Sequence, residues 1–169
     1  WLHDAQQRRQ GRASAALVGG RCVPGACSDS GFGRLGPTAT VVVSVYNQMR
    51  ELELVLAALA AQRDLAFDVI LAADGSSPPA HDLTERLAPT LPFAIRQVWQ
   101  SDDGFCKARI QNIAALSTSS DLLIFLDGDC IPFRDLVAVY RRRALPDEFM
   151  AGAVVDLGFA MSRALTPAN

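Results

Sequence analysis

Two aspartates one residue apart lie within the stretch LLIFLDGDCIP at 122–132. In extended backbone, residues i and i+2 point the same way, so Asp127 and Asp129 can face one cation. Gly128 between them leaves room for a phosphate or sugar to approach. Hard oxygen ligands in this arrangement suit Mg2+ or Mn2+, which take one or two carboxylates and complete their shell with phosphate oxygens. The spacing alone says little. With 14 Asp in 169 residues, about one D-x-D arises from composition, and an acidic turn is the competing reading. Position raises its value: the pair follows 122–126, an apolar run without alternation, which predicts a parallel strand covered on both faces. Ligands in α/β folds sit beyond the carboxyl ends of such strands.

Other segments end in the same way. The β-branched run ATVVVSV (39–45) leads to Tyr46-Asn47, FDVILAA (67–73) to Asp74-Gly75-Ser76, and FAIRQVW (93–99) to Gln100-Ser101-Asp102-Asp103-Gly104. Each reads as a strand. Between them, Met49, Leu52, Val55, Leu56, Leu59 and Ala60 recur at helical spacing. Further helices are expected over 81–88, 105–117 and 136–144, and a last strand over 149–157. Alternating β and α units predict an α/β, Rossmann-like, mainly parallel sheet with helices on both faces. Its shared carboxyl edge would gather an aromatic ring, several carboxylates and a cation site. Tyr46 can stack on a base, or rest half-buried on its neighbours. Asp74 can accept from a base or ribose donor, or serve only the turn. Asn47 and Asp102-Asp103-Gly104 suit helix caps, and Lys107 and Arg109 ordinary helix cations. Cys106, Cys130 and Trp99 are expected in the core, and His81 on the surface.

Bulk properties narrow the classes. Half the residues are hydrophobic, enough for a core, and a net charge of −2 carries no footprint for nucleic acid. Arg141-Arg142-Arg143 reads as a solvated helix end. No apolar run is long enough to span a bilayer. Four scattered cysteines and two histidines form neither a disulfide framework nor a zinc site, so reduced thiols and a cytoplasmic setting are expected, with peripheral membrane association left open. Residues 1–37 read as a disordered or extraneous segment before a domain at 38–169. No G-x-G-x-x-G or Walker lysine follows the first strand, which excludes dinucleotide and P-loop readings.

Taken in order, SVYN (44–47), ADGSS (73–77), QSDDGFCKARIQN (100–112) and FLDGDCIP (125–132) resemble the nucleotide-binding half of family-two glycosyltransferases of the GT-A fold. The likeness is greatest to the subgroup with D-x-G-F-R-x-A and D-G-D-C-x-P motifs. It implies transfer of a sugar, with inversion, from a nucleoside-diphosphate sugar such as a UDP-sugar to a glycan or other hydroxyl acceptor, as in polysaccharide biosynthesis. It also implies a nucleotide site of Ser44, Tyr46, Asn47, Asp74, Asp102, Lys107, Arg109, Asp127 and Gly128, with Asp127 and Asp129 on the metal. The chain departs from the pattern at Ala73, where an aspartate is usual, and at Cys106, where an arginine is usual; Lys107 or Arg109 would then supply that charge. The acceptor half and the catalytic base are expected beyond Asn169, so the chain is expected to be an incomplete piece and no base is named within it. The rival readings are a non-catalytic nucleotide-sugar-binding remnant, a haloacid dehalogenase-type phosphatase using a D-x-D nucleophile, and a nucleotidyltransferase, whose Gly-rich opening loop is missing from 37–47.

Overall fold

The computed structural model describes residues 37–75 and 79–167, with the side chains of 79–81 and 159 left aside. The expectations for the segment before Pro37, for Cys22 and Cys27, for Ser76 and for the His81 side chain fall outside those residues.

Strand β1 (Ala39–Val45) is buried at every position, and β2 (Phe67–Asp74) at every position but Asp68. Both are β-branched or small runs that pack on either face of a sheet. With β3 (Ile95–Gln100) and β4 (Leu122–Asp127) they form a sheet of order β3-β2-β1-β4, parallel at each pairing. Helix α1 (Met49–Ala60) connects β1 to β2, and α2 (Pro79–Leu87), followed by a 3-10 turn (Ala88–Thr90), connects β2 to β3. Helix α3 (Lys107–Leu116) carries the chain back across the sheet to β4, beside β1. Helices α4 (Leu136–Arg143) and α5 (Phe159–Ala164) follow.

Side-chain alternation divides the core. Val41, Val43 and Val45 of β1 pack with Leu52, Val55, Leu56 and Leu59 of α1, Leu83 of α2 and Val137 of α4. Val42, Ile70 and Ala72 face the other way, against Ile110 and Ala114 of α3. The sheet is therefore covered on both faces, as the alternation of strands and helices predicts. One buried polar side chain joins two helices. Gln62, at the end of α1, donates to the Phe133 carbonyl at 2.8 Å and accepts from the Val137 amide at 3.2 Å, tying α1 to the start of α4. No described helix is long and apolar enough to cross a membrane.

Several expectations need correction. The run at 122–126 is not covered on both faces: β4 lies at one end of the described sheet, and Phe125 is 50% exposed. The fully covered strands are β1 and β2, because the crossover places them in the middle. Trp99, on the opposite outer strand, is likewise exposed rather than core. Residues 149–157 form no strand; they run as irregular, mostly exposed chain, since backbone becomes a strand only where a neighbour completes its ladder. Arg141 is not solvated. It is largely covered, pairing with Asp64 at 2.6 Å and donating to the Pro37 carbonyl at 3.0 Å.

Gly128 has a structural duty the sequence reading placed elsewhere. Its amide donates to the Ser44 carbonyl at 2.8 Å, and a Cβ there would lie 2.7 Å from that same oxygen. The missing side chain lets the end of β4 close on β1. Gly128→Ala is expected to destabilise the fold by about 1–3 kcal/mol, the usual effect of an added methyl in a packed site. Urea denaturation would read this as a lower midpoint, and an unchanged midpoint would mean that the turn yields freely.

Candidate nucleotide-sugar site at the carboxyl edge of the sheet

Beyond β1 the chain turns through Tyr46 and Asn47 into α1, whereas β4 ends opposite Ser44 in the aspartate pair, Ser44 and Asp127 being register partners. The helix that follows β1 packs on one face of the sheet, whereas α3, which leads into β4, packs on the other, so a crevice opens between the ends of the two strands. It is a cleft of about 330 Å³ lined by Ser44, Tyr46, Asp74, Asp102, Lys107, Asp127, Gly128 and Asp129, with Gln48, Gly104 and Phe105 at its sides.

Asp74 organises one wall. It is buried at the end of β2, its Oδ1 accepting from Gln100 Nε2 at 2.5 Å and its Oδ2 from the Cys106 amide at 3.0 Å. Gln100 Nε2 also donates to the Cys106 carbonyl at 3.1 Å, which fixes its orientation because both partners are acceptors. A carboxylate thus satisfies the amide that opens α3, where the helix dipole favours negative charge. The cap expected from Asp102-Asp103-Gly104 is supplied instead by a strand distant in sequence. Next to it, Gly75 adopts φ +69° and lies so close to Asp102 that a Cβ would come within 2.7 Å.

Asp102 accepts from the Tyr46 hydroxyl at 3.0 Å and, through its other oxygen, from the Gly104 amide at 3.3 Å. Tyr46 is 51% exposed, which leaves much of its ring open to solvent. Its phenol is pushed above its usual pKa, chiefly because Asp102 accepts its proton and also repels a phenolate. Asn47 takes the left-handed conformation at φ +53°, and Gln48 occupies the cap position of α1 without a side-chain bond of its own.

The opposite wall holds charge. Lys107, the first residue of α3, donates to Asp127 Oδ1 at 2.5 Å, and Gln111 one turn later donates to the Ser44 hydroxyl at 2.8 Å. Ligand atoms of Asp127, Asp129 and Cys130 lie within 4.8 Å of one another. Two hard carboxylate oxygens with room for phosphate match Mg2+ or Mn2+, so the donor set fits the expected ion. Cys130 is half-buried beside these carboxylates rather than a core residue. Burial, then the charges of Asp129 and Asp127, push its thiol up.

The cleft therefore gathers Ser44, Tyr46, Asp74, Asp102, Lys107, Asp127, Gly128 and Asp129 from the expected set. Arg109 is not among its lining residues; it pairs with Asp103 at 3.5 Å, so Lys107 alone of the two candidate cations faces the cleft. Asn47 lines a neighbouring hollow of about 410 Å³, together with Arg50, Ile131 and Asp129. Phe105, 90% exposed at the cleft mouth, was overlooked in the sequence, where an apolar residue before a helix reads as core. Gln100 was missed as well, since nothing local marks it as the partner of Asp74.

A family model described as Glycosyl transferase family 2 matches residues 40–156. No curated protein sequence matches the chain. Among solved structures, the mannosyltransferase PcManGT from Pyrobaculum calidifontis, in complex with GDP-Man and Mn2+, is 22% identical with a TM-score of 0.56, over 84% of this chain and 41% of its own. S. aureus TarS is 20% identical with a TM-score of 0.51, over 60% of this chain and 18% of its own. TarS residues 1–349 in complex with UDP-GlcNAc are 21% identical with a TM-score of 0.51, over 60% and 29%. The chain thus spans less than half the length of each of these structures, and at such identities the likeness supports the fold.

The Tyr46–Asp102 bond has a spectroscopic consequence. One of the two tyrosines should ionise late in an ultraviolet titration, because the neutral phenol is the favoured form. Asp102→Asn should move that ionisation to lower pH. Identical titrations of the two proteins would show that the bond does not form in solution.

Proposed function

The chain belongs to glycosyl transferase family 2, and from that premise we propose that its cleft binds a nucleoside-diphosphate sugar, a UDP-sugar in particular, for transfer to an acceptor hydroxyl with inversion. The observation that carries this reading is the meeting of an exposed aromatic ring, Asp102, Lys107 and the acidic pair around one cleft. Tyr46 offers a face for the base, and Asp102 an acceptor next to it for a base N–H. Asp74 holds the wall between them, with lone pairs beyond its two structural bonds.

Asp127 and Asp129 would hold Mg2+ or Mn2+, with Asp129 as the principal ligand, since Lys107 already engages Asp127. A bound divalent cation supplies Lewis-acid stabilisation of the leaving diphosphate. The chain's own part is to fix the donor: Tyr46 orients the base and Ser44, held by Gln111, supports the ribose end. Lys107 adds positive charge where the diphosphate gathers negative charge. The acceptor and the base that deprotonates it belong to the activity of the whole enzyme, and no described residue is assigned as that base. The match across most of the chain, with three strands preceding the D-x-D, supports this reading over the phosphatase alternative.

Calorimetry with UDP tests the proposal. Mn2+ is expected to tighten UDP binding by the unmodified chain but not by Asp129→Ala, and equal affinities throughout would discard the metal assignment. Tyr46→Ala should weaken UDP by about 1–3 kcal/mol, the contribution of one base–aromatic stack.

A further inference from the structure

We propose that Lys107 is a resident counter-cation of the acidic pair, exchanged from Asp127 onto the ligand's diphosphate as the divalent ion enters; this rests on the nucleotide-sugar reading above. The Lys107 ammonium lies 2.5 Å from Asp127 Oδ1, and the oxygens of Asp127 and Asp129 belong to one cluster within 4.8 Å. A divalent ion drawing on this cluster would share the Asp127 carboxylate with the ammonium. An ammonium and a metal ion on one carboxylate repel each other, and both side chains are partly covered, which weakens screening. The acidic pair is thus already partly neutralised, and an incoming metal has to displace or share that charge.

Lysine is suited to such a move. Its charge sits at the end of a flexible four-carbon stem with three rotatable donors, so it changes partners without the planar match that arginine demands. Lys107 is anchored at the first position of α3, whose start is held by Asp74. Only its side chain has to swing. The other candidate cation, Arg109, is engaged with Asp103. A diphosphate arriving in the cleft gives the released ammonium a new anion, so metal and diphosphate assist each other's binding, and linkage makes the assistance reciprocal. Metal alone gains no such compensation and binds weakly.

Calorimetry and electron paramagnetic resonance of Mn2+ test the exchange on the full chain, its Lys107→Met variant and, should that misfold by circular dichroism, Lys107→Gln. The probes are Mn2+ alone, UDP alone and uridine. The neutral variant is expected to bind Mn2+ alone at least about fivefold tighter and UDP at least about fivefold weaker, the lower bound of typical coupling, with uridine unchanged. Mn2+ binding that is equal or weaker in the variant overturns the proposal. Tighter Mn2+ with unchanged UDP also overturns it, since Lys107 would then merely repel the metal. Failure of the unmodified chain to bind either UDP or uridine would instead sink the nucleotide reading, and the exchange with it.

Discussion

One buried carboxylate holds the site together. Asp74 ends β2, receives the side-chain amide of Gln100 from β3, and receives the backbone amide that opens α3. Left unpaired, a charge so enclosed would carry a desolvation cost of several kcal/mol. Paired in this way, it becomes a fixed anchor at the positive end of a helix. Because α3 starts where Asp74 holds it, Lys107 meets Asp127 and Gln111 meets Ser44 one turn later. Two walls of the cleft are therefore set by a residue whose first duty is to the fold.

The crossover of the sheet does the rest. Parallel strands place all their carboxyl ends on one rim, but a rim is not yet a cleft. The gap arises because the chain leaves β1 toward one face, whereas α3 brings it to β4 across the other. Gly128 then permits the turn after β4 to close on the Ser44 carbonyl, so the acidic pair hangs beside the end of β1 instead of projecting away. A ligand meeting this edge finds aromatic surface on one side and alternating charge on the other, a distribution suited to a base linked to a diphosphate.

That alternation of charge bears on order of binding. A divalent ion is repelled by nearby cations, yet here a lysine already pairs with one of the two aspartates. The arrangement makes sense where the anionic ligand and the metal arrive as partners, since the lysine then has somewhere to go.

Local pattern determined the alternation of strands and helices, the parallel sheet, most of the core and the four polar strand ends. Those features follow from periodicity and β-branching, which act within a few residues. The motifs also pointed to Tyr46, Asp74, Asp102 and the acidic pair as neighbours. Tertiary structure alone decided which strands are central, and so why Val42 is buried while its register partner Phe125 is half-exposed. It also decided that Asp74 rather than Asp102 satisfies α3, that Lys107 rather than Arg109 enters the cleft, and that residues 149–157 form no strand. The reason is one of range. Hydrophobic periodicity is written along the chain, whereas hydrogen-bond partners separated by tens of residues, and the exposure of an outer strand, exist only once the crossover has set which elements are adjacent.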